Sequence, residues 1–302
     1  MLQILHKTNI DFMKWKNISF TIMAVMICLG LFALVQVGRA KANLGIDFVG
    51  GTTVQLSFKD RLPIDEARTA LDKAGFQGFT LQDFAEGNKI LIRLREHEGV
   101  AEKVVATFQQ TFPGRAFDVD STTEIGPTIG KDLQWDALRA VIFSVIAIVI
   151  YIAFRFEFKF GVAAAIATVH DVCAVLGIFY LLNKEINLLV VTALLTLAGY
   201  SLTDTVVVFD RIRENLKRAK REPLGTLVNN SINEVLSRTI ITSLTVVLVL
   251  IPLVLFGGEV LHDFSLALLI GVGFGTYSSI FVASPLLVVW HARVGGSLIK
   301  KK

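Results

Sequence analysis

Long stretches of the chain carry no charged residue: positions 18–37, 140–154, 160–170, 172–183, 186–203, 239–258 and 264–290. Most approach the roughly 20 apolar residues that a helix needs to cross a bilayer. Asp171 alone separates the third stretch from the fourth, so 160–182 reads as one span, and the next runs through Asp204 to Phe209. The pattern therefore predicts six transmembrane helices, with the first at 18–37 and the other five between 133 and 292.

Between the first two spans the pattern changes. Residues 52–57 alternate polar and apolar, as does 116–124, and 79–84 and 89–94 read as strands joined by a turn at Glu86, Gly87 and Asn88. Ile64, Ala67, Ala70 and Leu71 share one face of a helix that opens at Pro63 and stops at Gly75. Val100, Val104, Val105 and Phe108 repeat at helical spacing. On the last strand, Phe117, Val119 and Ser121 are expected on one side. The order βαββαβ predicts a ferredoxin-like domain.

Composition sharpens this division. The chain is 302 residues long, 53% apolar and only 19% charged, with a net charge of +4, too apolar for a single soluble globule. Of its 56 charged residues, 26 lie in positions 38–132. Outside that segment, sixteen of the eighteen Lys and Arg fall on one side of the membrane if the termini share it, and only Arg139 and Lys184 fall on the other. Such an excess marks the cytoplasmic side. The expected layout is a cytoplasmic 1–17, a periplasmic 38–132, a basic cytoplasmic loop at 211–236 and a cytoplasmic tail at 293–302. The inserted segment has 12 basic and 14 acidic residues, so the positive total is a topology signal and no nucleic-acid partner is expected. A rival reading of the first span as a signal peptide, with Ala40, Lys41 and Ala42 at the cleavage site, is disfavoured because that span exceeds the usual 7–15 apolar residues. Cys28 and Cys173 both fall inside spans, where they read as packing residues.

No metal-ligand cluster or nucleophile with a neighbouring base is evident in the inserted domain. Gly50 and Gly51 precede a strand, not a helix, which argues against a nucleotide site. Contact with a protein or polymer is the functional reading, and a rigid cap on the bundle is its alternative. Candidate chemistry lies in the membrane, where each ionisable group costs about 2.5–3.5 kcal/mol on insertion scales. Asp204 is the foremost candidate, because its side chain is too short to reach the interface, and Gly199, Ser201 and Thr203 lie beside it. Arg238 opens the fifth span near the same side, so a contact with Asp204 is allowed; a snorkelling anchor is the alternative. His170 and Asp171 stand near mid-membrane, where a structural hydrogen bond and a proton relay are both open. Adjacent residues point about 100° apart on a helix, and the two are not expected to pair with each other. The charges following Asp210 read as a solvated helix end. Gly271 and Gly275 form a small-residue face for close packing, as do the alanines at 163–167, and Pro252 and Pro285 are expected to kink their spans.

The motifs GIDFVGGT at 45–52, EIGPTIG at 124–130, GYSLTDTVVVFDRIREN at 199–215, SRT at 237–239 and YSSIF at 277–281 resemble those of the SecF family, over nearly the whole chain. The resemblance implies an RND-type half of six spans in the bacterial inner membrane. It also implies pairing with SecD beside the SecYEG channel, with YajC and YidC as further partners, and use of the proton motive force to move a preprotein. No cofactor other than the coupling proton is implied. Asp204 and Arg238 match the family's membrane Asp and Arg. Thr203 departs from the family's usual Asn, so a hydrogen bond beside Asp204 is not carried over. Two other classes compete with proton-coupled translocation: a scaffold that stabilises SecD and the channel, and a small-molecule exporter of the same superfamily.

Overall fold

The computed structural model describes residues 8–39, 41–84, 88–96, 99–218 and 222–294. Six of its helices are long and apolar enough to cross a membrane. The chain divides into two compact units, residues 1–43 with 140–302 and residues 44–139.

The smaller unit has the predicted βαββαβ order. Strand β1 (Gly51–Phe58) is followed by β2 (Thr80–Phe84), β3 (Lys89–Leu94) and β4 (Phe117–Ile125), in the antiparallel sheet order β2-β3-β1-β4. Helices α3 (Ile64–Lys73) and α4 (Val100–Thr111) cover one face, and Val54, Leu56, Phe58, Ala67, Leu71, Val104 and Phe108 close the core. Before β1, the short helix α2 (Ile46–Val49) ends at Gly50 with φ of 76°, and Gly51 follows at 137°. A Cβ at Gly51 would sit 2.3 Å from the Leu94 carbonyl oxygen, so close backbone approach requires glycine here.

The alternation expected along β4 breaks. Gln55 pairs with Ser121 and Leu56 with Val119, which leaves Asp120 as the extra residue of a bulge. Ser121 therefore faces the side of Gln55, donating to its Oε1 at 3.2 Å, and leaves the side shared by Phe117 and Val119. The turn expected at Glu86 to Asn88 lies mostly outside the described residues; Asn88 takes a positive φ of 49°. Ala40 and residues 1–7 and 295–302 of the terminal segments also lie outside them.

The larger unit holds α1 (Lys16–Gly38), α6 (Phe158–Leu181), α7 (Leu188–Arg218), α8 (Leu224–Phe256), α9 (Gly258–Ser278), a π turn (Ser279–Ala283) and α10 (Ser284–Val294); α5 (Pro127–Arg155) ends in it. Small residues set the closest approaches. A Cβ on Gly30 of α1 would lie 2.4 Å from the Cys173 backbone on α6, and one on Gly271 of α9 would lie 2.5 Å from Leu197 on α7. Ala163, Ala164 and Ala167 are buried as expected. Cys173 is buried and Cys28 exposed.

One expectation needs correction. The loop at 211–236 is mostly helix, because α7 continues to Arg218 and α8 starts at Leu224 after Pro223. Arg211–Glu214 and Glu214–Arg218 pairs at helical spacing sustain the extra turns. These charges stand partly exposed at the helix end, as expected, and are also paired: Arg211 Nε donates to Glu234 at 2.5 Å, Asn215 donates to Glu234 and Ser231, and Arg155 pairs with Asp210. Pro252 is accommodated within a continuous α8. Ahead of Pro285 the sixth span widens into the π turn, which makes room between the proline ring and the preceding carbonyls.

Candidate functional site

Helices α6, α7, α8 and α9 bring two carboxylates and a set of hydroxyls into the interior of the bundle. Asp204 on α7 is 5% exposed. Ser243 Oγ from α8 donates to its Oδ2 at 3.4 Å and lies 2.6 Å from Thr276 Oγ1 of α9. Tyr200, one turn before Asp204 on α7, donates to Ser243 at 3.3 Å. Ser243 also reaches the Thr239 carbonyl at 3.0 Å. Three helices thus converge on one serine, with a carboxylate at one end of the hydroxyl chain.

Arg238 does not join this cluster. No ion pair links it to Asp204 among the described residues, and its side chain is exposed. Helical geometry gives the reason: Arg238 lies five residues before Ser243, a rotation of roughly 140° about the axis, so α8 turns Ser243 inward and Arg238 outward. The contact allowed by the sequence is not formed in this structure. Thr203 is likewise on the outer face and donates to the Gly199 carbonyl at 3.1 Å.

The second carboxylate is buried more deeply. His170 and Asp171 on α6 are both 0% exposed. Contrary to expectation, the two neighbours do meet: His170 Nδ1 lies 2.8 Å from Asp171 Oδ1. The 100° offset separates their Cβ directions, but an imidazole and a carboxylate are long enough to lean across it. Asp171 Oδ2 accepts from Ser201 of α7 and, at 2.7 Å, from Ser278 of α9. Ser201 was a candidate from sequence. Ser243, Thr276 and Ser278 were visible there only as members of polar runs, and nothing in the runs distinguished them from the hydroxyls that cap their own helix turns.

The glycine assignments divide. Gly271 and Gly275 pack against α7, with a Gly275 Cβ meeting Ser201 at 3.3 Å, whereas a Cβ at Gly199 would meet nothing within 4 Å. Gly199 is exposed and holds no close approach among the described residues. No group of three or more His, Cys, Asp or Glu suited to a metal occurs among the described residues.

Residues 103–293 match the family model for the C-terminal part of the SecD/SecF protein export membrane proteins, and residues 41–60 match the SecD/SecF GG motif. The protein translocase subunit SecF of Thermodesulfovibrio yellowstonii is 51% identical over 100% of both chains. That of Desulfurispirillum indicum is 42% identical, over 97% of this chain and 95% of its own. Among solved structures, the SecDF of Thermus thermophilus, described as a translocon-associated membrane protein, superposes with a TM-score of 0.83 at 36% identity over 95% of this chain. The chain spans 39% of that longer SecDF chain. A SecDF in a super-membrane-facing form gives a TM-score of 0.70 at 36% identity, over 96% of this chain and 40% of its own. With six membrane-spanning helices of RND type and relatives of this similarity along its full length, the chain belongs to the SecF family of protein translocase subunits.

Proposed function

We propose that this subunit pairs with a SecD half in the bacterial inner membrane and uses the proton motive force to promote preprotein translocation through SecYEG and release on the periplasmic side. The observation that carries the reading is Asp204: a carboxylate inside a membrane span, 5% exposed, whose hydrogen-bond partner is a hydroxyl and not a cation. Such a group is costly when ionised and inexpensive when protonated. Arg238 supplies the complementary charge for a second arrangement of α7 and α8, in which the ionised Asp204 is paired. Alternation between the two arrangements couples proton passage, worth about 2.3 kcal/mol per 100 mV, to movement of the spans. The 38–132 domain receives that movement through α1 and α5, to which it is covalently joined. Both termini are then cytoplasmic, the domain is periplasmic, and YajC and YidC are companions of the assembled complex.

A face of the bundle supports the partner half. Thr192, Thr196, Gly199 and Thr203 form an exposed stripe on α7, each threonine satisfied by a carbonyl of its own helix. Exposed positions on α5 are instead Ile142, Phe143, Val145 and Ile146. A stripe of small, internally satisfied residues suits a helix partner better than lipid, and a solved SecDF chain has room for a second half.

The test is Asp204→Asn in the complex reconstituted in vesicles. Loss of the gradient-dependent part of export, with the partner half still bound, is expected. Full gradient-dependent export by this variant overturns the reading and leaves the scaffold function in its place.

A further inference from the structure

Asp204 accounts for one of the two carboxylates buried within the spans; His170 and Asp171 take no part in the function so far described. Three observations bear on them. Asp171 is fully buried and accepts hydrogen bonds from Ser201 and Ser278. When Asp171 is ionised it can only accept, so in that state the 2.8 Å contact places a hydrogen on His170 Nδ1. The other ring nitrogen, His170 Nε2, is buried without a hydrogen-bond partner. The imidazole is flanked by two rings of α9, Phe274 at 5.9 Å between centroids and Tyr277 at 6.1 Å.

We infer that His170 and Asp171 form a second proton-holding site in the membrane, in which the coupling proton resides on His170 Nε2 between the rings of Phe274 and Tyr277. This rests on the proton-driven function proposed above. In the unloaded state a neutral imidazole donates through Nδ1 to the carboxylate, and the pair carries one negative charge. Loading forms an N–H bond at the Nε2 lone pair with a proton from the aqueous phase, giving an imidazolium beside a carboxylate and a net charge of zero. Unloading breaks that bond and returns the proton to water. A buried unit charge without compensation is far more costly than a paired one, so the loaded state is the resting one. The two rings border the imidazole in a T-shaped and a tilted contact.

Among the described residues, the surroundings hold no rival counterion. From α7 the pair meets Ser201, with Asp204 three residues further along that helix; from α9 it meets Ser278 and the titratable Tyr277. Helix α1 packs on α6 at Gly30 and presents no charged side chain between residues 17 and 38. The π turn carries none, and His291 and Arg293 of α10 lie beyond it. Phe274, Tyr277 and Ser278 all belong to the last turns of α9 before the π turn, so a shift of this segment uncovers Nε2 and withdraws a hydroxyl from Asp171 together.

The experiment is nitrogen NMR of the histidine-labelled complex in lipid bilayers at neutral pH, with His170→Asn used to assign the signal among the five histidines. The expected result is a doubly protonated His170 in the wild type and in Ser278→Ala, and loss of that signature in Asp171→Asn. A neutral His170 in the wild-type complex overturns the proposal, as does a signature unchanged in Asp171→Asn. Gradient-dependent export in vesicles provides the second readout: Asp171→Asn is expected to lose it while keeping the partner half bound, and full retention overturns the site. The spectroscopic outcome does not depend on Asp204, so failure of the second site and failure of proton coupling are told apart by Asp204→Asn in the same vesicles.

Discussion

Ser243 Oγ touches Asp204, Thr276, Tyr200 and the Thr239 carbonyl. Its removal breaks the hydroxyl chain and takes a hydrogen bond from Asp204, while the carboxylate itself stays in place. Ser243→Ala is expected to cost about 0.5–1.5 kcal/mol of stability, measured by thermal unfolding in detergent, and to lower gradient-dependent export while gradient-independent export stays unchanged. Gly30 offers a test of a different kind. The Cys173 backbone lies 2.4 Å from where its Cβ would stand, so Gly30→Ala is expected to destabilise the bundle by about 1–3 kcal/mol through overpacking, by the same measurement. At this scale the sequence was only partly legible. Asp204 stood out because the bilayer makes any short ionisable side chain conspicuous. Ser278 did not, because serines occur throughout the spans, and the few that meet a carboxylate are selected by tertiary packing. The His170–Asp171 contact was misjudged for a related reason: helical phase fixes the direction of Cβ and leaves the reach of the side chain free.

Whole helices are organised by their ends as much as by their apolar faces. The start of α8 holds the segment ahead of α1: Asn233 Oδ1 accepts from the Ile10 amide at 2.9 Å, Asn229 Oδ1 accepts from the Phe12 amide at 2.8 Å, and both side chains donate to the Ile10 carbonyl. Phe12, 4% exposed, plugs the core beside Phe281. Asn229→Ala with Asn233→Ala is therefore expected to raise hydrogen exchange at residues 8–15 and leave α6 protected. The outer face of α7 supplies the converse case. A Cβ at Gly199 meets nothing within 4 Å among the described residues, so unfolding of Gly199→Leu is expected to stay within about 0.5 kcal/mol of wild type, while recovery of the partner half on copurification is lost. Apolar run lengths revealed the spans, but the run after Phe209 looked like a loop, since hydropathy ignores helix sustained by ion pairs such as Arg211–Glu214.

Across the whole molecule, two units with separate cores imply separate losses. Leu56 is fully buried in the sheet domain, and Leu56→Ala is expected to destabilise that domain by about 2–5 kcal/mol; proteolysis is expected to attack residues 44–126 first, leaving the span-rich fragment intact. The domain's topology was legible because alternation and helix signals followed one another in the βαββαβ order. The Asp120 bulge was not, because one extra residue in an edge strand leaves the composition unchanged. A similar surplus shapes the sixth span. Its π turn holds one more residue than a regular turn would, so α10 is out of phase with α9 by about 100°. In lineages where the span evolves by single-residue deletion between Ser279 and Ala283, the helix would straighten and every side chain of α10, Trp290 and His291 included, would swing to a new azimuth. A change of length here moves more side chains than a change of any one residue, so substitutions are expected to be easier to absorb than insertions or deletions.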